Sequence, residues 1–130
     1  MKKILVVDDQ PGMRLLLEHA LAEGGFQVVT ANDGREALKK LTEEKFHIVL
    51  LDMKMPGMSG LEVLANLQDA KLSSQFVMMT AYREDLLAEQ AKQLGVQHFL
   101  TKPFNIEEML EMISRLVSEA MPAERLCSSC

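Results

Sequence analysis

Ile48-Val49-Leu50-Leu51-Asp52-Met53-Lys54-Met55-Pro56-Gly57 is the stretch on which the fold turns. An unbroken aliphatic run, closed by an acid and then by a Pro-Gly turn signal, reads as a short strand buried on both faces of a parallel sheet. Asp52 is where that strand surfaces, at the carboxyl edge. In open α/β sheets ligands bind along that edge, so Asp52 is a site candidate rather than a solvated charge.

Ile4-Leu5-Val6-Val7 repeats the arrangement and delivers Asp8 and Asp9, followed by Gln10, Pro11 and Gly12. If the two strands are neighbours, three carboxylates converge on one small patch. Like charges that close raise one another's pKa values, so a cation is needed to keep the cluster ionised at neutral pH. Oxygen ligands without clustered His or Cys suit Mg²⁺, with Mn²⁺ as a possible substitute, and no organic cofactor is expected. Capping of the helix that opens at Pro11 would account for one of these acids, but not for the pair together with Asp52.

Two further apolar runs each present one polar group to the same edge. Phe76-Val77-Met78-Met79 ends in Thr80-Ala81-Tyr82, and residues 96–100 end in Thr101-Lys102-Pro103-Phe104. A carboxylate, a divalent cation, a hydroxyl and an ammonium are together a set of parts for phosphoryl transfer to the carboxylate. In that chemistry neutralising charge on the phosphoryl oxygens and positioning do most of the work.

Helical patterns fill the gaps between the strands. Pro11 opens helix 1, with Met13, Leu16, Leu17, Ala20 and Leu21 at helical spacing up to Gly24-Gly25. Asp33 with Glu36, Ser59 with Glu62, and Asn105 with Glu108 read as N-terminal caps of helices 2, 3 and 5. Helix 4 is expected over 83–94 and strand 2 over 27–30. Five strands alternating with five helices, joined by short right-handed crossovers, give an α/β doubly wound parallel sheet. Residues 1–120 are read as one domain and 121–130 as a flexible tail.

The combination of Asp8-Asp9, Asp52 with Pro56-Gly57 and Gly60 behind it, Thr80-Ala81 and Lys102-Pro103 resembles the receiver domain of two-component response regulators, over residues 2–119. Val7-Asp8-Asp9-Gln10, the segment from Leu51 to Met58, Met79-Thr80-Ala81-Tyr82 and Lys102-Pro103-Phe104-Asn105 look most like the stand-alone phosphorelay regulators of sporulation within that family. The resemblance implies a flavodoxin-like sheet of order 2-1-3-4-5. It also implies phosphorylation of Asp52 by a sensor histidine kinase, and relay to a histidine phosphotransferase. By the same likeness Asp9, Asp52 and the Lys54 main-chain carbonyl hold Mg²⁺, with Asp8 acting through water. Lys102 meets a phosphoryl oxygen, while Thr80 and Phe99 form a switch. Gln10, Gly12, Met13, Leu15, Leu16, Pro103 and Phe104 form the docking surface for histidine partners. Lys54 and Tyr82, each two residues past a site residue, are expected to shield the acyl phosphate and slow its hydrolysis.

The bulk numbers are those of an ordinary soluble globule. The chain has 130 residues, 48% hydrophobic and 25% charged, with a net charge of −5 that disfavours a nucleic-acid surface. Lys2-Lys3 precedes an apolar run too short for a secretory signal or a membrane span, so a cytoplasmic protein is expected; a monomer is expected as well. Cys127 and Cys130 form a C-x-x-C with no second pair, read as functionally silent. His19, His47 and His98 fall on different elements and are read as structural or surface residues. Met53, Met55 and Met58 ring the Asp52 loop as possible partner contacts.

Three other readings have defined requirements. A haloacid-dehalogenase-type phosphatase places a second Asp where this chain has Lys54. A flavodoxin-like carrier requires a hydroxyl- and glycine-rich loop where Asp8-Asp9 stand. A receiver cut from a DNA-binding regulator differs only in what would follow residue 130.

Overall fold

The computed structural model describes residues 2–67, 74–81 and 85–129. Strands β1 (Lys3–Val7), β2 (Gln27–Ala31), β3 (Ile48–Asp52), β4 (Gln75–Ala81) and β5 (His98–Lys102) alternate with five helices, α1 (Pro11–Glu23), α2 (Gly34–Glu43), α3 (Gly60–Asn66), α4 (Asp85–Gln93) and α5 (Ile106–Ser129). All strand pairs are parallel, and the sheet order is β2-β1-β3-β4-β5, as the resemblance implies. The order reverses between β1 and β3, which makes their carboxyl ends the topological switch point.

Alternation along the strands divides the core into two layers. Ile4, Val6, Ile48, Leu50, Val77, Met79 and Leu100 pack with Leu17, Ala20 and Leu21 of α1 and Met109, Ile113 and Leu116 of α5. Leu5, Val7, Val49, Leu51 and Met78 meet Ala37 and Leu41 of α2, Val63 and Leu64 of α3, and Ala91 of α4. Every residue of β3 is buried, as expected for the central strand.

Three helix starts have the expected caps. Asp33 accepts from the Glu36 N–H at 2.8 Å, Ser59 from the Glu62 N–H at 3.2 Å and Asn105 from the Glu108 N–H at 2.6 Å. Other expectations need correction. Leu16 is 49% exposed, because the inward stripe of α1 is taken by Leu17, Ala20 and Leu21; Leu15, at 56%, also lies off the stripe. Met53 and Met55 are buried in the core, so the loop after β3 does not present them to a partner. Strand β5 starts at His98 rather than Val96, whose N–H instead closes the end of α4 on the Ala91 carbonyl at 3.1 Å, with Gly95 at φ +104°. Helix α5 is assigned through Ser129, which leaves the reading of 121–130 as a tail untouched. Tyr82, Arg83 and Cys130 lie outside the described residues. Among the described residues no helix is long and apolar enough to cross a membrane.

These layers predict an unequal response to truncation. Ile113→Ala, fully buried between α5 and the sheet, should cost about 2–5 kcal/mol in denaturant unfolding. Leu15→Ala should stay within about 0.5 kcal/mol of the parent.

Candidate functional site

The pairing register sets the site before any side chain is considered. Val7 is level with Leu51, so Asp8, the residue after β1, emerges beside Asp52. Asp52 in turn is level with Met79, and Ala81 with Lys102. Asp8, Asp52 and Lys102 continue the alternation of Val6, Leu50 and Leu100, so they leave the sheet on the face of α1 and α5. Thr80 has the opposite parity and belongs to the face of Met78.

Asp8 is fully buried and Asp52 is 6% exposed. Carboxylate oxygens of Asp8, Asp9 and Asp52 lie within 4.8 Å of one another, as expected from the two strand ends. The Lys102 ammonium reaches back into this group, donating to Asp8 Oδ2 at 3.1 Å and lying 3.4 Å from Asp52 Oδ2. A buried charge cluster is tolerable only when paired in this way. Asp8 Oδ1 accepts from the Gln10 N–H at 2.9 Å, so the acid turns the chain into α1 as well as facing Lys102. Capping and site roles are thus combined in one residue.

Burial pushes the Asp52 carboxyl up to about 6; Lys102 opposes the shift, Asp8 adds to it, and a backbone hydrogen bond from Lys54 lowers it. The direction matches expectation, but loss of water is the larger cause and repulsion from a neighbouring carboxylate the smaller.

The loop after β3 is drawn tightly against its own strand. The Gly60 N–H donates to the Met53 carbonyl at 2.9 Å, and a Cβ at Gly60 would stand 2.5 Å from the Asp52 carbonyl oxygen. Only glycine lets the start of α3 come this close, which accounts for a glycine eight residues past the acid. Gly57 supplies the turn at φ +83°.

The remaining candidates surround this centre. Thr80 is buried at the end of β4. Phe99 is half-buried against the α2–α4 core layer, with the Lys92 ammonium 5.7 Å from its ring centroid. Gln10, Gly12 and Pro103 are exposed with Leu15 and Leu16, while Met13 and Phe104 are half-buried against the α1–α5 layer. None of His19, His47 and His98 belongs to the acidic group, and His47 Nδ1 accepts from the Lys3 N–H at 3.0 Å at the opposite edge of the sheet. One participant has no signal in the sequence: Arg14 Nη1 donates to the Asp8 carbonyl at 2.7 Å. An arginine in the first turns of an amphipathic helix reads as an ordinary solvated charge.

The model of the response regulator receiver domain matches residues 4–114. Sporulation initiation phosphotransferase F of Bacillus subtilis (strain 168) is 39% identical over 114 residues, which cover 88% of this chain and 92% of that protein. Among solved structures, a CheY-like receiver domain protein from Methanospirillum hungatei JF-1 superposes with a TM-score of 0.89 at 28% identity, covering 95% of this chain and 98% of that one. The response regulator TrrA from Thermotoga maritima, solved in complex with Mg²⁺-BeF, superposes with a TM-score of 0.76 at 39% identity, covering 89% and 99%. The chain therefore belongs to the response regulator receiver domains, the phosphoacceptor signalling domains of two-component systems.

Proposed function

We propose that the protein accepts a phosphoryl group on Asp52 from a phosphohistidine and relays it to a histidine phosphotransferase. The observation that carries this reading is the Lys102 ammonium set between Asp8 and Asp52 at the carboxyl edge. That cation neutralises the acid in the resting protein and stands where the charge of an arriving phosphoryl group has to be offset. An Asp52 carboxylate oxygen attacks phosphorus, the bond from phosphorus to the imidazole nitrogen breaks, and the imidazole leaves with the electron pair.

The acidic group fits a divalent cation. Its donors are all oxygen, they gather within 4.8 Å, and a single lysine offsets only part of their charge. Asp9, Asp52 and the Lys54 main-chain carbonyl would hold Mg²⁺, or Mn²⁺ in its place, with Asp8 acting through water. When bound, the ion screens the repulsion between the attacking carboxylate and the phosphoryl oxygens. The Mg²⁺-BeF complex of the Thermotoga relative supports this assignment. Thr80 is assigned to a second phosphoryl oxygen after modification, and Phe99 to the accompanying rearrangement. A domain over residues 1–120 that acts as a cytoplasmic monomer is part of the same reading.

The relay direction is supported by the 39% identity to a sporulation phosphotransferase along 92% of that protein. It is supported also by the exposed Leu15 and Leu16 beside the site. A partner helix laid on Gln10, Gly12, Met13, Leu15, Leu16, Pro103 and Phe104 would bring its histidine in line with Asp52, and one geometry serves both directions of transfer.

Transfer to a four-helix histidine phosphotransferase should therefore be fast for the parent and slower by about tenfold for Leu15→Ala, the loss of roughly 1.4 kcal/mol of docking energy. Labelling by acetyl phosphate should be equal in both, because the small donor needs no docking surface. Equal transfer by both proteins would refute the docking surface, and no transfer to any candidate phosphotransferase would refute the relay.

Chelation gives a second outcome. EDTA should abolish labelling by acetyl phosphate, and excess Mg²⁺ should restore it. Full labelling in EDTA would remove the cation from the account.

Stability gives a third. The folded pKa of Asp52, about 6, lies above the ordinary 3.8. Its contribution to stability is thus fully present below the lower value and lost as pH rises through the higher one. In EDTA, Asp52→Asn should raise the unfolding midpoint at pH 7.5, by on the order of 1–3 kcal/mol, and the gain should shrink toward pH 4.5. A gain that grows on acidification would contradict the sign.

A further inference from the structure

Every polar group of Asp8 is engaged. Its N–H donates to the Ala31 carbonyl at 3.2 Å, Oδ1 accepts from the Gln10 N–H at 2.9 Å, Oδ2 accepts from Lys102 at 3.1 Å, and its carbonyl accepts from Arg14 Nη1 at 2.7 Å. Asp9 is held differently. It is half-buried, and among the described residues no side-chain hydrogen bond fixes its carboxylate. The backbone entering Asp9 is then what sets where its side chain leaves the chain.

The Asp8 carbonyl and the Asp9 N–H belong to one rigid peptide plane. Holding the oxygen holds the plane, and with it the direction in which the Asp9 side chain leaves the chain. Arg14 is well placed for this. Its own N–H donates to the Gln10 carbonyl at 3.0 Å in the first turn of α1, and its side chain folds back toward the helix start, the way helical side chains lean. A guanidinium is always charged and donates only, so it grips the carbonyl strongly without acting as a cation ligand. By taking the carbonyl rather than a carboxylate it leaves the Asp9 oxygens available.

We propose that Arg14 is a positioning residue of the acidic site: its guanidinium fixes the peptide plane between Asp8 and Asp9, and so the approach of the Asp9 carboxylate to Asp52. The proposal rests on the reading of that site as a divalent-cation site. Arg14 touches neither the cation nor the phosphoryl group. Its contribution appears as cation affinity, with no separate effect on the transfer step.

The test is Mn²⁺ binding by electron paramagnetic resonance, together with Mg²⁺ dependence of acetyl phosphate labelling. Variants are Arg14→Gln, Arg14→Lys, Asp9→Asn and, as a destabilised core control, Ile113→Val. Arg14→Gln should bind Mn²⁺ about tenfold more weakly, the usual effect of removing an outer support of a metal ligand. Arg14→Lys, which keeps a cationic donor, should recover most of the affinity, and Asp9→Asn should lose it. The Mg²⁺ concentration giving half-maximal labelling of Arg14→Gln should rise by the same factor, with the rate at saturating Mg²⁺ unchanged. Mn²⁺ affinity equal to the parent's would overturn the proposal and leave the cation site standing. A lower rate at saturating Mg²⁺ would also overturn it, by showing that Arg14 acts on the reacting group. So would an equal loss in Ile113→Val, which would reduce the effect to general loosening. A parent protein that binds no Mn²⁺ would overturn the cation site and the Arg14 proposal together.

Discussion

Carboxylates buried side by side impose the main demand on this fold. Asp8 and Asp52 are taken almost wholly out of water at the ends of adjacent strands, with Asp9 beside them. Removing charge from water is costly unless it is paired. Lys102 supplies the pairing from the far end of the chain, 94 residues from Asp8. The sheet order makes that reach possible, because β3 and β4 lie between β1 and β5 and the lysine projects from the same face as both acids. Fold and site are thus one arrangement seen at two scales.

The same constraint explains the local chain chemistry. Asp8 has to be held on several sides at once, so its backbone and its carboxylate are both used, by Ala31, Gln10, Arg14 and Lys102. Gly60 allows the loop after β3 to press against the Asp52 carbonyl, where any Cβ would collide. The surrounding core is apolar, and the charged centre is set by strand ends: Asp52 and Lys102 are the last residues of β3 and β5, and Asp8 directly follows β1.

Much of this was legible in the sequence, and for a physical reason. Strands buried on both faces read as continuous aliphatic runs, and a polar residue that ends such a run can only stand at the rim. Asp8, Asp52, Thr80 and Lys102 are such residues, and the caps at Asp33, Ser59 and Asn105 show in their spacing. Strand order was not legible from periodicity and came from the likeness to receivers. Leu16 was misplaced because the margin of a helical stripe is a matter of neighbours, and Met53 and Met55 because the loop folds back into the core. The principal cause of the Asp52 shift was hidden as well, since burial depends on packing from the whole sheet. Arg14 had no signal at all: its partner is a backbone carbonyl, which no side-chain pattern records.

Whether Asp52 takes the phosphoryl group is decided by tandem mass spectrometry of the Mg²⁺-loaded protein after brief exposure to acetyl phosphate. One phosphoryl adduct is expected, located on the peptide that contains Asp52 and assigned to that residue. An adduct on Asp8, Asp9 or a histidine, with Asp52 unmodified, would contradict it.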